Sequence, residues 1–176
     1  MCCETCGSVI EMRMGRVPKF CSGACRQKAY RVRQKTVARL KRMSIDRWVR
    51  ATGKRPIMPN GAPASSTDPS TWSTFEDVQS GAGDGLGVMM GDGLGCYDFD
   101  DCFDGDNLRG SVRDYIDAIQ EPIIFIERSG SLKGLHVFVE MEPRRGKGFK
   151  LADGSSVEIY SKDRFIVCTF EKYGLR

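Results

Sequence analysis

The chain has 176 residues, 40% hydrophobic and 28% charged, enough for one ordinary domain with a real core plus a small extra module. No apolar run reaches the ~20 residues of a membrane span, and Met1-Cys2-Cys3-Glu4 lacks the basic and apolar character of a signal peptide, so a soluble, intracellular protein is expected. The net charge of +4 hides an asymmetry: residues 1–55 hold 15 Lys/Arg against Glu4, Glu11 and Asp46 (+12), while the remainder holds 12 against 20 (−8). A basic arm on a mildly acidic body is expected to grip a polyanion; the plainer alternative is a solvated helix surface.

The chain begins with paired cysteines. Cys3-x2-Cys6 is followed, fourteen residues later, by Cys21-x3-Cys25. Zinc takes four tetrahedral ligands, and cysteine pairs on tight turns supply them two at a time. Gly7 and Ser22-Gly23 suit such turns. Disulfides are the competing reading, which an intracellular setting disfavours; Cys2 is an alternative to Cys3 as first ligand. The stretch Lys19-Phe20-Cys21-Ser22-Gly23-Ala24-Cys25-Arg26 resembles short zinc knuckles whose second pair opens a basic helix. That helix is predicted over 23–43. Its apolar positions, Ala29, Tyr30, Val37 and Leu40, are few. Arg26, Lys28, Arg31, Arg33 and Lys35 surround its first half and are candidate DNA-phosphate contacts, which carry no base information by themselves.

Next comes a short edge strand over 46–50, then a Pro/Gly/Ser loop through Pro69. A helical turn is expected at Asp68-Pro69-Ser70 and a short helix over 72–79, with Trp72 and Phe75 as core anchors. Strands at 85–90 and 94–100 read as a hairpin about Gly91-Asp92-Gly93. Residues 108–119 have helical spacing, stopped by Pro122. Strands follow at 123–127 and 135–140, and a last pair at 156–160 and 164–169. The expected class is α+β: a mostly antiparallel sheet with helices, plus the N-terminal zinc-binding module with its basic helix. The expected division is 1–45 for the knuckle and helix and 46–176 for the body. Cys96, Cys102 and Cys168 are read as small packed thiols.

The chemistry concentrates in Cys96-Tyr97-Asp98-Phe99-Asp100-Asp101-Cys102. Alternation along a strand puts Asp98 and Asp100 on one face and Phe99 on the other. Two fixed carboxylates suit Mg2+ or Mn2+ held against phosphates. The chain's single histidine, His136, follows, then Glu158 in another alternating run. An acid pair, a histidine and a late acid suggest metal-dependent phosphoryl chemistry on a nucleotide.

Over about residues 46–170 these segments resemble the bifunctional primase–polymerase (prim-pol) domain of the archaeo-eukaryotic primase superfamily, of phage and plasmid type. The segments are Lys54-Arg55-Pro56-Ile57 with Pro59-Asn60-Gly61 and Thr67-Asp68-Pro69; Gly87-Val88-Met89-Met90-Gly91 with Asp98-Phe99-Asp100; Ser129-Gly130-Ser131-Leu132-Lys133-Gly134-Leu135-His136; and Val157-Glu158-Ile159-Tyr160 with Arg164-Phe165. The resemblance implies an RRM-like core and a nucleotidyltransferase that copies single-stranded DNA from nucleoside triphosphates. It implies that Asp98, Asp100 and Glu158 bind Mg2+ or Mn2+ and that His136 contacts the triphosphate. Ser131, Lys133 and Arg164 become further nucleotide-binding candidates. It implies a separate replicative helicase as partner, since no Walker loop is present, and the host cytoplasm if the protein is phage-encoded. Two other classes stay open: a non-enzymatic zinc-containing DNA-binding accessory protein on a degenerate primase fold, and a metal-dependent nuclease.

Overall fold

The computed structural model describes residues 2–3, 5–10, 18–44 and 46–175; the side chains of Arg33, Thr36, Val37 and Met43, two of them named above, lie outside the described set. Helix α1 spans Gly23–Met43. Ser22 caps it, its hydroxyl accepting from the Cys25 N–H at 3.2 Å, and Lys41 and Arg42 in the last turn complement the dipole. It stops where the Ser44 hydroxyl turns back onto the Leu40 carbonyl at 2.7 Å. The end of this helix is anchored in the body, Leu40 being fully buried, whereas Arg26, Lys28, Arg31 and Lys35 are exposed.

The body contains two antiparallel sheets. The four-stranded one has the order β11 (Phe165–Cys168), β3 (Gly85–Met89), β1 (Trp48–Thr52), β2 (Arg55–Ile57). The five-stranded one has the order β7 (Ile123–Arg128), β8 (Leu135–Glu140), β4 (Leu94–Asp100), β10 (Ser156–Tyr160), β9 (Lys147–Lys150). A small ladder joins β5 (Phe103–Asp104) to β6 (Asn107–Leu108), just before α2 (Gly110–Asp117). The α+β class with mostly antiparallel pairing is borne out.

Alternation explains the layers. On β4, Leu94 and Cys96 face one way and join Phe125, Phe138, Trp48, Val88, Ile166 and Leu40 in the core between the sheets. Tyr97 and Phe99 face the other way and pack with Val137, Val157 and the α2 residues Val112 and Ile116. Burial of these two apolar sets is the main stabilising term for the body. Trp48 is the aromatic centre of the first core, with Phe75 edge-on at 4.9 Å and Phe170 at 6.0 Å.

Several expectations are corrected. The strand after α1 is interior, flanked by β3 and β2, and β2 is the edge; Pro56 is tolerated there because an edge strand can do without one ladder donor. Trp72 is extended and 72–79 is no helix: single 3-10 turns occur at Pro69–Thr71 and Asp77–Gln79. Trp72 and Phe75 are partly buried, and Trp72 donates to the Ser65 carbonyl at 2.6 Å. β3 and β4 do not form a hairpin, and β10 and β11 are not a pair; each lies in a different sheet. β2, β5, β6 and β9 are strands beyond those that the sequence pattern predicts. Cys96, Cys102 and Cys168 are buried, as expected.

Candidate active site

The register of the five-stranded sheet lines up one cross-strand row. Glu127 on β7 lies opposite His136 on β8, His136 opposite Asp98 on β4, Asp98 opposite Glu158 on β10, and Glu158 opposite Gly148 on β9. Directly opposed residues share a face. This is also the face whose preceding row (Phe125, Phe138, Cys96, Tyr160) belongs to the core between the sheets. The next row brings Asp100, Ser156 and Lys150 together. The face therefore changes from apolar to acidic along the strands, and the acids lie where the inter-sheet core ends.

The structure brings Asp98, His136 and Glu158 together in this row, with Asp100 one step along the same strand face. His136 Nε2 lies 3.6 Å from Asp98 Oδ1. Asp100 is exposed, whereas Asp98 retains only 18% side-chain exposure. Burial pushes the Asp98 carboxyl above its ordinary range; Asp100 and Glu158 add to that, while His136 and Arg164 oppose it. Tyr160 donates to Glu158 Oε2 at 2.6 Å, and the Arg164 guanidinium stacks 4.4 Å from the Tyr160 ring. Burial and then the bond to Glu158 hold the Tyr160 hydroxyl up at about 12, so it remains a donor. Gly148 puts no side chain at the end of the row; a Cβ there would stand 3.4 Å from the Glu158 Cγ.

The serine loop abuts this row. Ser129 Oγ accepts the Gly134 N–H at 3.1 Å and meets the Ser131 hydroxyl at 3.0 Å, and Leu132 takes φ +63° at the tip. Gly134 has no room for a side chain: a Cβ would stand 2.4 Å from the Phe99 carbonyl. Ser131 is thus engaged within its own loop, and Lys133 is exposed.

The sequence reading missed Glu127. It is fully buried, its Oε1 2.9 Å from His136 Nδ1, and it accepts N–H bonds from Thr169 and Phe170. The available signal was an acid closing the apolar run Ile123-Ile124-Phe125-Ile126, on the parity of Phe125. Burial disfavours the charged imidazole of His136, but the bond to Glu127 and the charges of Asp98 and Asp100 outweigh it, so its pKa is raised.

The second site is the cysteine cluster. The Sγ atoms of Cys3, Cys6, Cys21 and Cys25 all lie within 4.8 Å of one another, with Cys6–Cys21 and Cys21–Cys25 each at 3.5 Å. Four thiolates around a tetrahedral zinc at ~2.3 Å have nearly this spacing. All eight cysteines are free thiols. Cys3, not Cys2, joins the cluster. Backbone N–H groups, that of Cys21 first, draw Cys3 down to about 6, while neighbouring thiols, Cys6 first, push Cys21 up to about 12. Such a set would release protons on taking a cation. Among the described residues the carboxylates of the sheet are not gathered this tightly.

No family model matches the chain. Over 129 residues, 68% of this chain, it is 32% identical to a DNA primase-polymerase of Nitratiruptor phage NrS-1. The chain is a homologue of a phage DNA primase-polymerase. The resemblance read from the motifs is thereby borne out. The matched stretch is only 18% of the phage primase-polymerase, so the chain spans less than a fifth of that protein's length. Among the described residues no helix is long and apolar enough to cross a membrane.

Proposed function

We propose that this chain carries the nucleotidyl-transfer site of a DNA primase–polymerase, copying single-stranded template from nucleoside triphosphates. The observation that supports it most is the cross-strand row in which Asp98, His136 and Glu158 share one face with Asp100, in a chain homologous to a phage primase-polymerase. Asp98, Asp100 and Glu158 would hold Mg2+ or Mn2+. The donor set fits: these are hard oxygens on rigid strands, and the pKa of Asp98 is raised first by burial and then by the charges of Asp100 and Glu158, which a cation offsets. When bound, the cations supply Lewis-acid stabilisation of the attacking hydroxyl and the leaving pyrophosphate.

The remaining steps belong to the chain. His136 presents an imidazole beside the acids, where it would contact the triphosphate and offset charge growing on its oxygens. Arg164, stacked on Tyr160, and Lys133 on the exposed loop supply further positive charge for phosphate; Ser131 acts through the shape of the loop. The position without a side chain at Gly148 would admit substrate beside Glu158.

The N-terminal arm would grip template. Zinc on Cys3, Cys6, Cys21 and Cys25 orders the turns that start α1, and Arg26, Lys28, Arg31 and Lys35 are exposed along it; Arg33 belongs to the same proposed set. The proposed division is residues 1–45 for the arm and 46–176 for the body, with Leu40 of the arm packing into the body's core. Any unwinding would come from a separate helicase, and a phage-encoded protein would work in the host cytoplasm. The test is incorporation of labelled dNTP on single-stranded DNA with Mn2+. Activity lost in His136→Ala, with template affinity kept, supports the assignment. Template binding without incorporation by the wild type would instead favour a DNA-binding accessory protein, and degradation of template would favour a nuclease.

A further inference from the structure

A carboxylate removed from water persists only where donors surround it. Glu127 has no exposed area, although it sits on an edge strand. Among the described residues three groups hydrogen-bond it. The Thr169 N–H lies 3.2 Å from each oxygen, the Phe170 N–H 2.7 Å from Oε2, and His136 Nδ1 2.9 Å from Oε1. Backbone N–H groups can only donate, so both oxygens act as acceptors. Phe170 holds φ +54°, a conformation that costs a non-glycine residue energy. That strain is kept at the residue whose N–H makes the shortest of these contacts.

A neutral imidazole has one proton and two nitrogens to place it on. Nδ1 is 2.9 Å from Glu127, whereas Nε2 is 3.6 Å from Asp98, beyond ordinary hydrogen-bond length. The closer and more deeply buried carboxylate decides the tautomer. We propose that Glu127 is the positioning residue of the nucleotide site: it accepts the Nδ1 proton of His136 and holds Nε2 toward the cleft, so that the ring's second proton, carried on Nε2 in the imidazolium, points at the phosphates of a nucleoside triphosphate. The ligand in this statement rests on the primase–polymerase reading; the lock itself does not. Thr169 and Phe170 follow β11, a strand of the other sheet. One carboxylate therefore ties the histidine to both sheets, and the imidazole is held from behind while its far nitrogen remains available.

His136 is the chain's single histidine, so the imidazole nitrogens of the 15N-labelled, zinc-loaded full chain belong to one residue. Long-range proton–nitrogen correlation, carried to a pH at which the ring is neutral, reads the tautomer directly. The expected result is a proton on Nδ1 and a bare Nε2. A neutral ring protonated on Nε2 would overturn the proposal. In Glu127→Gln the amide oxygen would keep the Thr169 and Phe170 N–H groups, which leaves the NH2 facing Nδ1. An NH2 can only donate, so the variant should invert the tautomer and put the proton on Nε2; a variant retaining the Nδ1 proton also contradicts the lock. If Glu127→Gln does not fold, the wild-type spectrum alone decides. In the incorporation assay the variant, whose ring has lost the carboxylate that supports the imidazolium, should raise the dNTP KM on the order of tenfold, with a smaller effect on kcat. An inverted tautomer with unchanged KM would remove the nucleotide from the proposal. A wild-type protein that incorporates nothing would overturn the reading of the site, and the ligand assignment with it, while the spectrum still reports on the lock.

Discussion

The acidic end of the five-stranded sheet and the cysteine cluster are both candidate metal centres, yet they are built in opposite ways. Asp98, Glu158 and His136 hang on strands whose positions are set by two buried apolar cores. In the cysteine cluster Cys3 is buried, but Cys6 and Cys21 are exposed, and among the described residues no comparable apolar set surrounds them. The body can thus hold its carboxylates in place before any cation arrives, at the expense of an unfavourable Asp98 charge. Among its described residues the N-terminal module has little besides a bound metal that would order it. One site is preorganised by the fold, and the other organises its own segment.

The sharpest way to break this contrast is to remove zinc. Structural zinc sites contribute on the order of 10 kcal/mol or more to the order of their modules. Cys21→Ser should release zinc and unfold the knuckle while the body's melting transition stays in place, as read by zinc release and differential scanning calorimetry. A body that melts with the knuckle would erase the distinction.

Packing gives the next largest effect. Phe138→Ala, which empties the inter-sheet core beneath the acidic row, should cost about 3–5 kcal/mol in chemical denaturation. Gly134→Ala should cost about 1–3 kcal/mol, since its Cβ would press on the Phe99 carbonyl. A Gly134→Ala protein as stable as wild type would show that the serine loop can shift away from β4.

Charge effects should be smaller. His136 has a raised pKa in the folded state, so its stabilising contribution is fully present below the unfolded value of 6.5 and is lost as pH rises through the folded value. In metal-free protein the stability gap between wild type and His136→Gln should therefore be widest below about pH 6.5 and narrow above it. A gap that widens with pH would contradict the carboxylate environment described for this ring.

The arm gives the finest test. Truncation should stop before the buried end of α1, for instance by deleting residues 1–34, because Leu40 packs in the core with Ile124 and Phe125. Single-stranded DNA affinity should fall with salt at about −0.7 per neutralised phosphate in a log–log plot, and the deletion should flatten that slope. An unchanged slope would make the arm a docking element for a protein partner.

How much of this could be read beforehand varied with how local the signal was. The span of α1 was legible from the basic run that follows the second cysteine pair and the change of composition after Met43, β8 from its apolar run and β10 from its alternation. Asp98 and Asp100 shared a face by parity alone, and Glu158 lay in a recognisable run. Strand partners were not legible. Gly91-Asp92-Gly93 looks like a hairpin turn, and one bridge, Gly91 to Leu94, does close there. Yet Arg47 occupies this turn, bonding the Met89 and Met90 carbonyls and pairing with Asp92, so the chain passes from one sheet to the other. Such a choice depends on contacts more than 40 residues apart. β9, with Lys147, Gly148 and Lys150, has a poor strand composition and forms only because β10 offers an edge. Glu127 was missed for a related reason: its meaning comes from His136 on the neighbouring strand and from the backbone of Thr169 and Phe170, more than 40 residues along the chain.

The central claim is that the acidic row is a cation–nucleotide site held by the fold and not needed for it. Asp98→Asn tests it most directly, with Mn2+-dependent dNTP incorporation and thermal melting measured on the same preparation. The account predicts that incorporation is abolished, while the metal-free variant melts at or slightly above wild type because one buried negative charge is gone. Wild-type incorporation by a folded Asp98→Asn protein would contradict it.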